Sequence, residues 1–165
     1  MNTDAFAGLE QGKVRGAGEY LSAGEFVVEI SDITYKPTFK QGDSLIVEFV
    51  IVETNNTADA VGSKRSWVEP KKSMYFNDEV IAFLLATMGI SAKDTEKVTK
   101  VTANSRTLMN RALTENIFKG SRLRVSAFKT ITKTERERAT AEKREPAPNF
   151  MKLVFKPYEA PAATA

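Results

Sequence analysis

The chain has 165 residues, enough for one domain of ordinary size with one core, and its 42% apolar and 27% charged residues exclude collagen-like, fully disordered and membrane-embedded chains. With no cysteine and no histidine, disulfides, zinc-finger sites, thiol nucleophiles and imidazole proton relays are excluded too. The net charge of +3 names no partner, but it is graded: four basic against nine acidic residues from Met1 to Glu53, nine against seven to Phe118, and eleven against five thereafter.

The first stretch, residues 1–23, is glycine-rich with little periodicity and is expected to be a flexible arm outside the core. It lacks a signal-peptide pattern, and no apolar run nears the roughly 18 residues that cross a bilayer, so a cytoplasmic location without a membrane partner is expected. From Glu25 to Tyr35, Phe26, Val28 and Ile30 alternate as in a strand, and Ile33 falls out of phase, which predicts a bulge. Ser44 to Glu53 is apolar in both phases except at Glu48 and is expected to be a central strand buried on both sides. A third, more polar strand spans Ser63 to Glu69 and stops at Pro70.

The period then changes. Asn77 is the expected N-cap of a helix from Asp78 to Met88, with Phe76 stapled onto Ile81 and Gly89 as the left-handed stop. A short turn from Ser91, with Asp94 completing a capping pattern, and a second helix around Arg106 to Leu113 follow. Leu123, Val125 and Ala127 alternate with Arg122, Arg124, Ser126 and Phe128 in a fourth strand. Residues 133–148 have almost no large apolar side chain and are expected to be a mobile loop. A fifth strand covers Asn149 to Pro157, and residues 160–165 read as a short tail.

Three strands, a helix and two strands predict an all-β fold with added helices: a five-stranded Greek-key OB-fold barrel, with a helix between strands three and four, occupying residues 24–159. An α+β sandwich uses the same elements. Catalytic signatures are weak. Gly16-Ala17-Gly18 lacks the third glycine and the preceding strand of a dinucleotide fingerprint, and no Walker loop is present. Asp78 and Glu79 are explained by the helix dipole, and no carboxylate cluster at ligand spacing argues for magnesium. No catalytic residue, metal or cofactor is assigned.

Aromatic residues interleaved with basic ones are the positive signal, since an unpaired strand offers base faces for stacking and phosphates for cations. Tyr35, Lys36, Phe39 and Lys40 lie in the link between strands one and two. Lys64, Arg65 and Trp67 are on strand three, where the phase of Trp67 with Arg65 and Glu69 predicts exposure. Lys71, Lys72 and Tyr75 follow. Arg122, Arg124 and Phe128 face Phe150, Lys152 and Lys156 on the last two strands. Lys133, Arg136 and Arg138, with Lys143 and Arg144, make the link between strands four and five a candidate clamp.

The segments AGEFVVEISDI, DSLIVEFVIVE, RSWVE, NDEVIAFLLATMGI, GSRLRVSAFKT and NFMKLVFKPYE resemble the phage-encoded single-stranded DNA-binding proteins of OB-fold type, over roughly Ala23 to Glu159. The resemblance implies a cofactor-free protein that coats single strands in replication and recombination. The C-terminus from Glu159 to Ala165 departs from that family in lacking its acidic tip, so recruitment of replication or recombination proteins does not carry over. The expected function is therefore sequence-tolerant binding of single-stranded DNA or RNA without catalysis, a role compatible with self-association into a homo-oligomer. A barrel of this kind gripping a protein partner is the alternative.

Overall fold

The computed structural model describes residues 20–39 and 41–159. Strands β1 (Gly24–Thr38), β2 (Gly42–Thr54), β3 (Lys64–Pro70), β4 (Arg122–Thr130) and β5 (Phe150–Pro157) form one antiparallel sheet in the order β3-β2-β1-β4-β5. β1 turns Phe26, Val28 and Ile30 inward, and a register shift between Ile30 and Asp32 brings Ile33 back to the core, as its phase predicts. Its first half, Gly24 to Glu29, also pairs with β4, which makes β1 the middle strand rather than β2. β2 buries Leu45, Val47, Phe49 and Ile51 but leaves Ile46, Glu48, Val50 and Val52 half-buried, so only one of its phases is fully buried.

Helices α1 (Phe76–Thr87) and α2 (Thr95–Glu115) both lie between β3 and β4 in the chain. Tyr75, not Asn77, occupies the cap of α1, without a side-chain hydrogen bond; Asn77, Asp78 and Glu79 fall inside the first turn. The stop is the expected one. Gly89 takes φ 73°, its N–H donates to the Ala86 carbonyl at 3.1 Å, and the Ile90 N–H donates to Leu85 at 2.8 Å. In α2 the Asp94 carboxylate accepts the Lys97 N–H at 3.3 Å, and the helix runs 21 residues, well beyond the expected Arg106 to Leu113. Its apolar stripe, Val101 and Ala112 buried and Val98, Leu108, Met109 and Leu113 partly buried, packs toward α1 and β1.

The segment expected to be a mobile loop contains a third helix, α3 (Lys133–Ala141). Thr132-Lys133-Thr134-Glu135 supplies the pattern of a capping box, and the Thr132 hydroxyl accepts the Glu135 N–H at 3.1 Å. At the other end Lys143 takes a left-handed φ of 54°, and the Arg144 N–H donates to the Ala139 carbonyl at 3.0 Å. Arg144 turns back to ion-pair with the buried Glu135 and with Glu142. Asn149 closes the neck, accepting the Thr132 N–H at 3.1 Å and donating to its hydroxyl at 3.0 Å. Polar ties, rather than a large apolar surface, order this segment.

Helix α1 packs chiefly on β5 and also meets β3 and β4. Phe83 and Leu84 are fully buried, and the Phe83, Trp67 and Phe155 rings form a cluster with centroids 4.6 to 5.6 Å apart. No ladder joins β3 to β5 among the described residues, so the sheet is not closed by hydrogen bonds; α1 and these rings bridge its two edges. The body also begins before β1. Leu21 is buried in the core, the Ser22 N–H donates to Asp59 at 2.8 Å and Asn56 donates to the Ala23 carbonyl at 2.7 Å, so Leu21 to Ala23, read in the sequence as part of an arm, are tied to the core. Residues 1–19, Lys40 and residues 160–165 lie outside the described residues. Among the described residues no helix is long and apolar enough to cross a membrane.

Candidate nucleic-acid interface

Trp67 does not offer a stacking face. Opposite Val47 in the ladder, it shares the inward phase of β2 and is 6% exposed, wedged between Phe83 and Phe155. Arg65 is inward as well, opposite Phe49. Its Nε donates to the Asp59 carboxylate at 2.8 Å and its Nη1 to the Lys64 carbonyl at 2.7 Å, while the second Asp59 oxygen accepts the Ser22 N–H. The ion pair satisfies a guanidinium that the alternation of β3 points inward. Arg65 and Trp67, expected at the surface, are thereby buried, and of the β3 set only Lys64, in the opposite phase, is exposed.

The outer face of β4 and β5 holds six of the exposed residues. The ladder places Arg124 opposite Lys156, Phe128 opposite Lys152 and Thr130 opposite Phe150. Arg122, Arg124, Lys152 and Lys156 are all exposed, as are Phe128 at 41% and Phe150 at 53%. Arg122 is ion-paired with Glu29 at 3.2 Å. Arg124 instead lies over the Tyr158 ring, 5.7 Å from its centroid. Tyr158, just past β5, is the ring that pattern reasoning misses.

The neighbouring outer face of β1 is acidic. Glu25 accepts from Ser126 at 2.6 Å, Glu29 holds Arg122, and Glu25 and Glu53 line a shallow pocket with Arg124. The cationic strip is thus confined to β4 and β5 and does not cross the sheet toward β3.

The remaining predicted residues divide between two places. Tyr35 and Lys36 are exposed near the end of β1, paired with Leu45 and Ser44 rather than lying in the link expected between the strands, Phe39 is exposed in the β1–β2 turn, and Lys71, Lys72 and Tyr75 are exposed on the β3–α1 link. The Lys71 N–H donates to the Asp43 carbonyl at 2.9 Å, which ties the link to the turn, and Lys71 Nζ sits 4.6 Å from the centroid of the Phe76 ring. Lys133, Arg136 and Arg138 are exposed on α3, where Lys133 reaches Glu137 at 3.9 Å. Lys40 lies outside the described residues.

Two half-buried carboxylates, on β3 and α1, flank the β3–α1 link. Burial raises the Glu69 pKa, with Glu79 adding to the rise, while hydrogen bonds from Ser73 and Trp67 hold it down. Burial also raises Glu79, opposed by Lys152 and reinforced by Asp78. On α3 the Arg144 hydrogen bond, followed by the Ala147 N–H, lowers Glu135. Among the described residues no group of three or more acidic side chains is placed to hold a metal ion. No protein-family model matches the chain, and no curated protein sequence matches it.

Proposed function

We propose that the protein binds single-stranded DNA without sequence preference, coating and protecting it in phage replication or recombination, and does so without catalysis. The observation that carries this reading is the like-charge pairing of Arg124 with Lys156 on an exposed face that also bears Phe128, Phe150 and Tyr158. Two cations directly opposite each other across a ladder are destabilising on their own and become favourable when a polyanion lies over them. Rings beside them add base stacking, which tolerates any sequence because every base has a π-face.

The architecture supports an OB-fold barrel: the strand order β3-β2-β1-β4-β5, the long shared β1 and α1 lying between the β3 and β5 edges are what such a barrel would use. In this reading the strand follows β4 and β5, and the cations of α3 flank it. Fluorescence anisotropy of labelled oligo-dT is the test. Binding should weaken steeply with salt, and Arg124→Ala with Lys156→Ala should flatten the salt slope by about 0.7 for each cation removed. No anisotropy change at low salt would overturn the reading and favour a protein partner; degradation of the oligonucleotide on adding magnesium would show an enzyme instead.

A further inference from the structure

Strand β2 is apolar in both phases, and among the described residues the fold covers only one of them. Leu45, Val47, Phe49 and Ile51 are in the core, whereas Ile46 and Val50, in the other phase, are half-exposed and lie outside the core cluster. Val68 of β3, directly opposite Ile46, is half-exposed on the same outer face. Among the described residues no helix packs substantially on β2. A strand apolar on both sides belongs where both sides are covered, so this face is available to a partner.

The charges on the face select the partner. The ladder sets Asp32 of β1 directly opposite Glu48 of β2, in the row between Ile46 and Val50. Both carboxylates are half-buried, and neither is ion-paired among the described residues. Glu53 is exposed further along β2, and Lys64, opposite Val50, is the cation that β3 adds to the face. Two carboxylates facing each other across a ladder are destabilising on their own and gain from a counter-charge laid over them.

The same sheet carries that counterpart on its far strands. Arg124 stands opposite Lys156, with Phe128 and Val154 in the same outward phase of β4 and β5. One molecule thus holds both halves of a complementary contact, an acidic aliphatic half and a cationic aromatic half. Both lie on the outer face of one sheet, so they cannot face each other within one chain. A two-fold contact that docked the β2–β3 face on itself would set acidic pair against acidic pair, which leaves a head-to-tail contact between copies.

We propose that the outer face of β2 and β3, with Asp32 and Glu48, docks the β4–β5 outer face of a second copy of this chain, head to tail. Such a contact leaves one free half at each end of a pair, so association continues into rings or filaments. The docked copy covers Arg124, Lys156 and Phe128, and self-association and single-strand binding therefore exclude each other there. That exclusion rests on the reading of the β4–β5 face as a single-strand site; the contact between copies does not.

Sedimentation velocity over a concentration series is the test. Wild type should grow beyond a dimer at low salt and return to monomer at about 0.5 M salt, where exposed charges are largely screened. Asp32→Asn with Glu48→Gln removes the acidic half, and Arg124→Ala with Lys156→Ala removes the cationic half; each double variant should be monomeric alone, with an unchanged melting temperature. Mixed, the two should form a one-to-one pair and stop there, because a single complementary contact remains between them. Wild type that stays monomeric, a mixture that stays monomeric, or variants that associate as wild type does would overturn the contact. Oligo-dT of about six nucleotides, short enough for one strand to engage one molecule, should dissolve the wild-type assembly. An assembly that persists while oligo-dT binds would overturn the shared face. Oligo-dT binding by a protein that never associates would remove this inference and keep the strand site, and association without oligo-dT binding would do the reverse.

Discussion

Two strands of this protein set rings beside cations, and the fold uses them in opposite ways. On β3, Arg65 and Trp67 turn inward, the guanidinium onto a fully buried Asp59 and the indole between Phe83 and Phe155. On β4, Arg124 and Phe128 turn outward, opposite Lys156 and Lys152. Alternation fixes which residues share a face but not which face is wet; that is decided by what the partner strand buries. Leu45, Val47 and Phe49 pair with Glu69, Trp67 and Arg65, whereas the inward phase of β4 is already filled by Leu123, Val125 and Ala127.

The buried ring is the costlier of the two to truncate. Trp67→Ala should destabilise the fold by about 3–5 kcal/mol, the range for removing a large aromatic from a core. Urea denaturation measures it; an unchanged midpoint with weaker oligonucleotide binding would restore Trp67 to the surface. Asp59→Ala comes next. It leaves Arg65 buried without its counter-charge and the Ser22 N–H without an acceptor, at a cost of about 3–5 kcal/mol. Replacing both partners, Arg65→Met with Asp59→Leu, should recover much of that loss, because the penalty lies in the orphaned charge rather than in the pair itself.

The outer face should respond in the reverse sense. Phe128→Ala is expected to change stability by no more than about 0.5 kcal/mol, as for a surface site, and to weaken binding of oligo-dT by about 1–3 kcal/mol through lost stacking. Parallel denaturation and anisotropy measurements on Trp67→Ala and Phe128→Ala therefore make a crossed design. If Phe128→Ala unfolds the protein, or leaves binding untouched, the division between an inner and an outer ring set is lost.

How far the sequence can be read follows the same line. Strands with one uninterrupted apolar phase are legible, including the bulge that returns Ile33 to the core, and so is the α1 stop at Gly89, because each depends on local periodicity or backbone freedom. Where burial depends on a distant partner, legibility fails. Arg65 marks an exposed phase unless Asp59, in the β2–β3 link, is known to meet it. The first half of α2 is rich in threonine and valine, which favour strands, so its stripe is visible only toward Leu113. In α3 the apolar signal is absent, yet the Thr132-to-Glu135 capping pattern is present in the sequence and marks the helix start. On the outer face of β4 and β5, strand alternation is enough to set Phe128 against Lys152, while Tyr158 gains its place over Arg124 only from the three-dimensional path of the chain after β5.

The smallest expected effect sharpens the contrast through protons. Glu69 and Glu79, at the border of the inner region, have pKa values raised above the ordinary 4.5, so between 4.5 and the raised values the native state binds more protons than the unfolded one. By linkage, stability then falls as pH rises through that window and increases as pH drops from neutral into it. Glu135 on α3 has the opposite sign. Its lowered pKa makes the native state bind fewer protons, so its contribution is present above 4.5 and is lost as pH falls through the lowered value. Since Glu69 and Glu79 are only half-buried, their combined effect should stay within about 1 kcal/mol. Urea midpoints across a pH series should therefore rise on mild acidification and fall again at stronger acid. Glu69→Gln with Glu79→Gln should flatten the first limb alone, and Glu135→Gln should diminish the second alone. If the double variant instead altered the strongly acidic limb, the carboxylates at the edge of the ring cluster would be coupled to α3, and the two regions would not titrate as separate parts of the molecule.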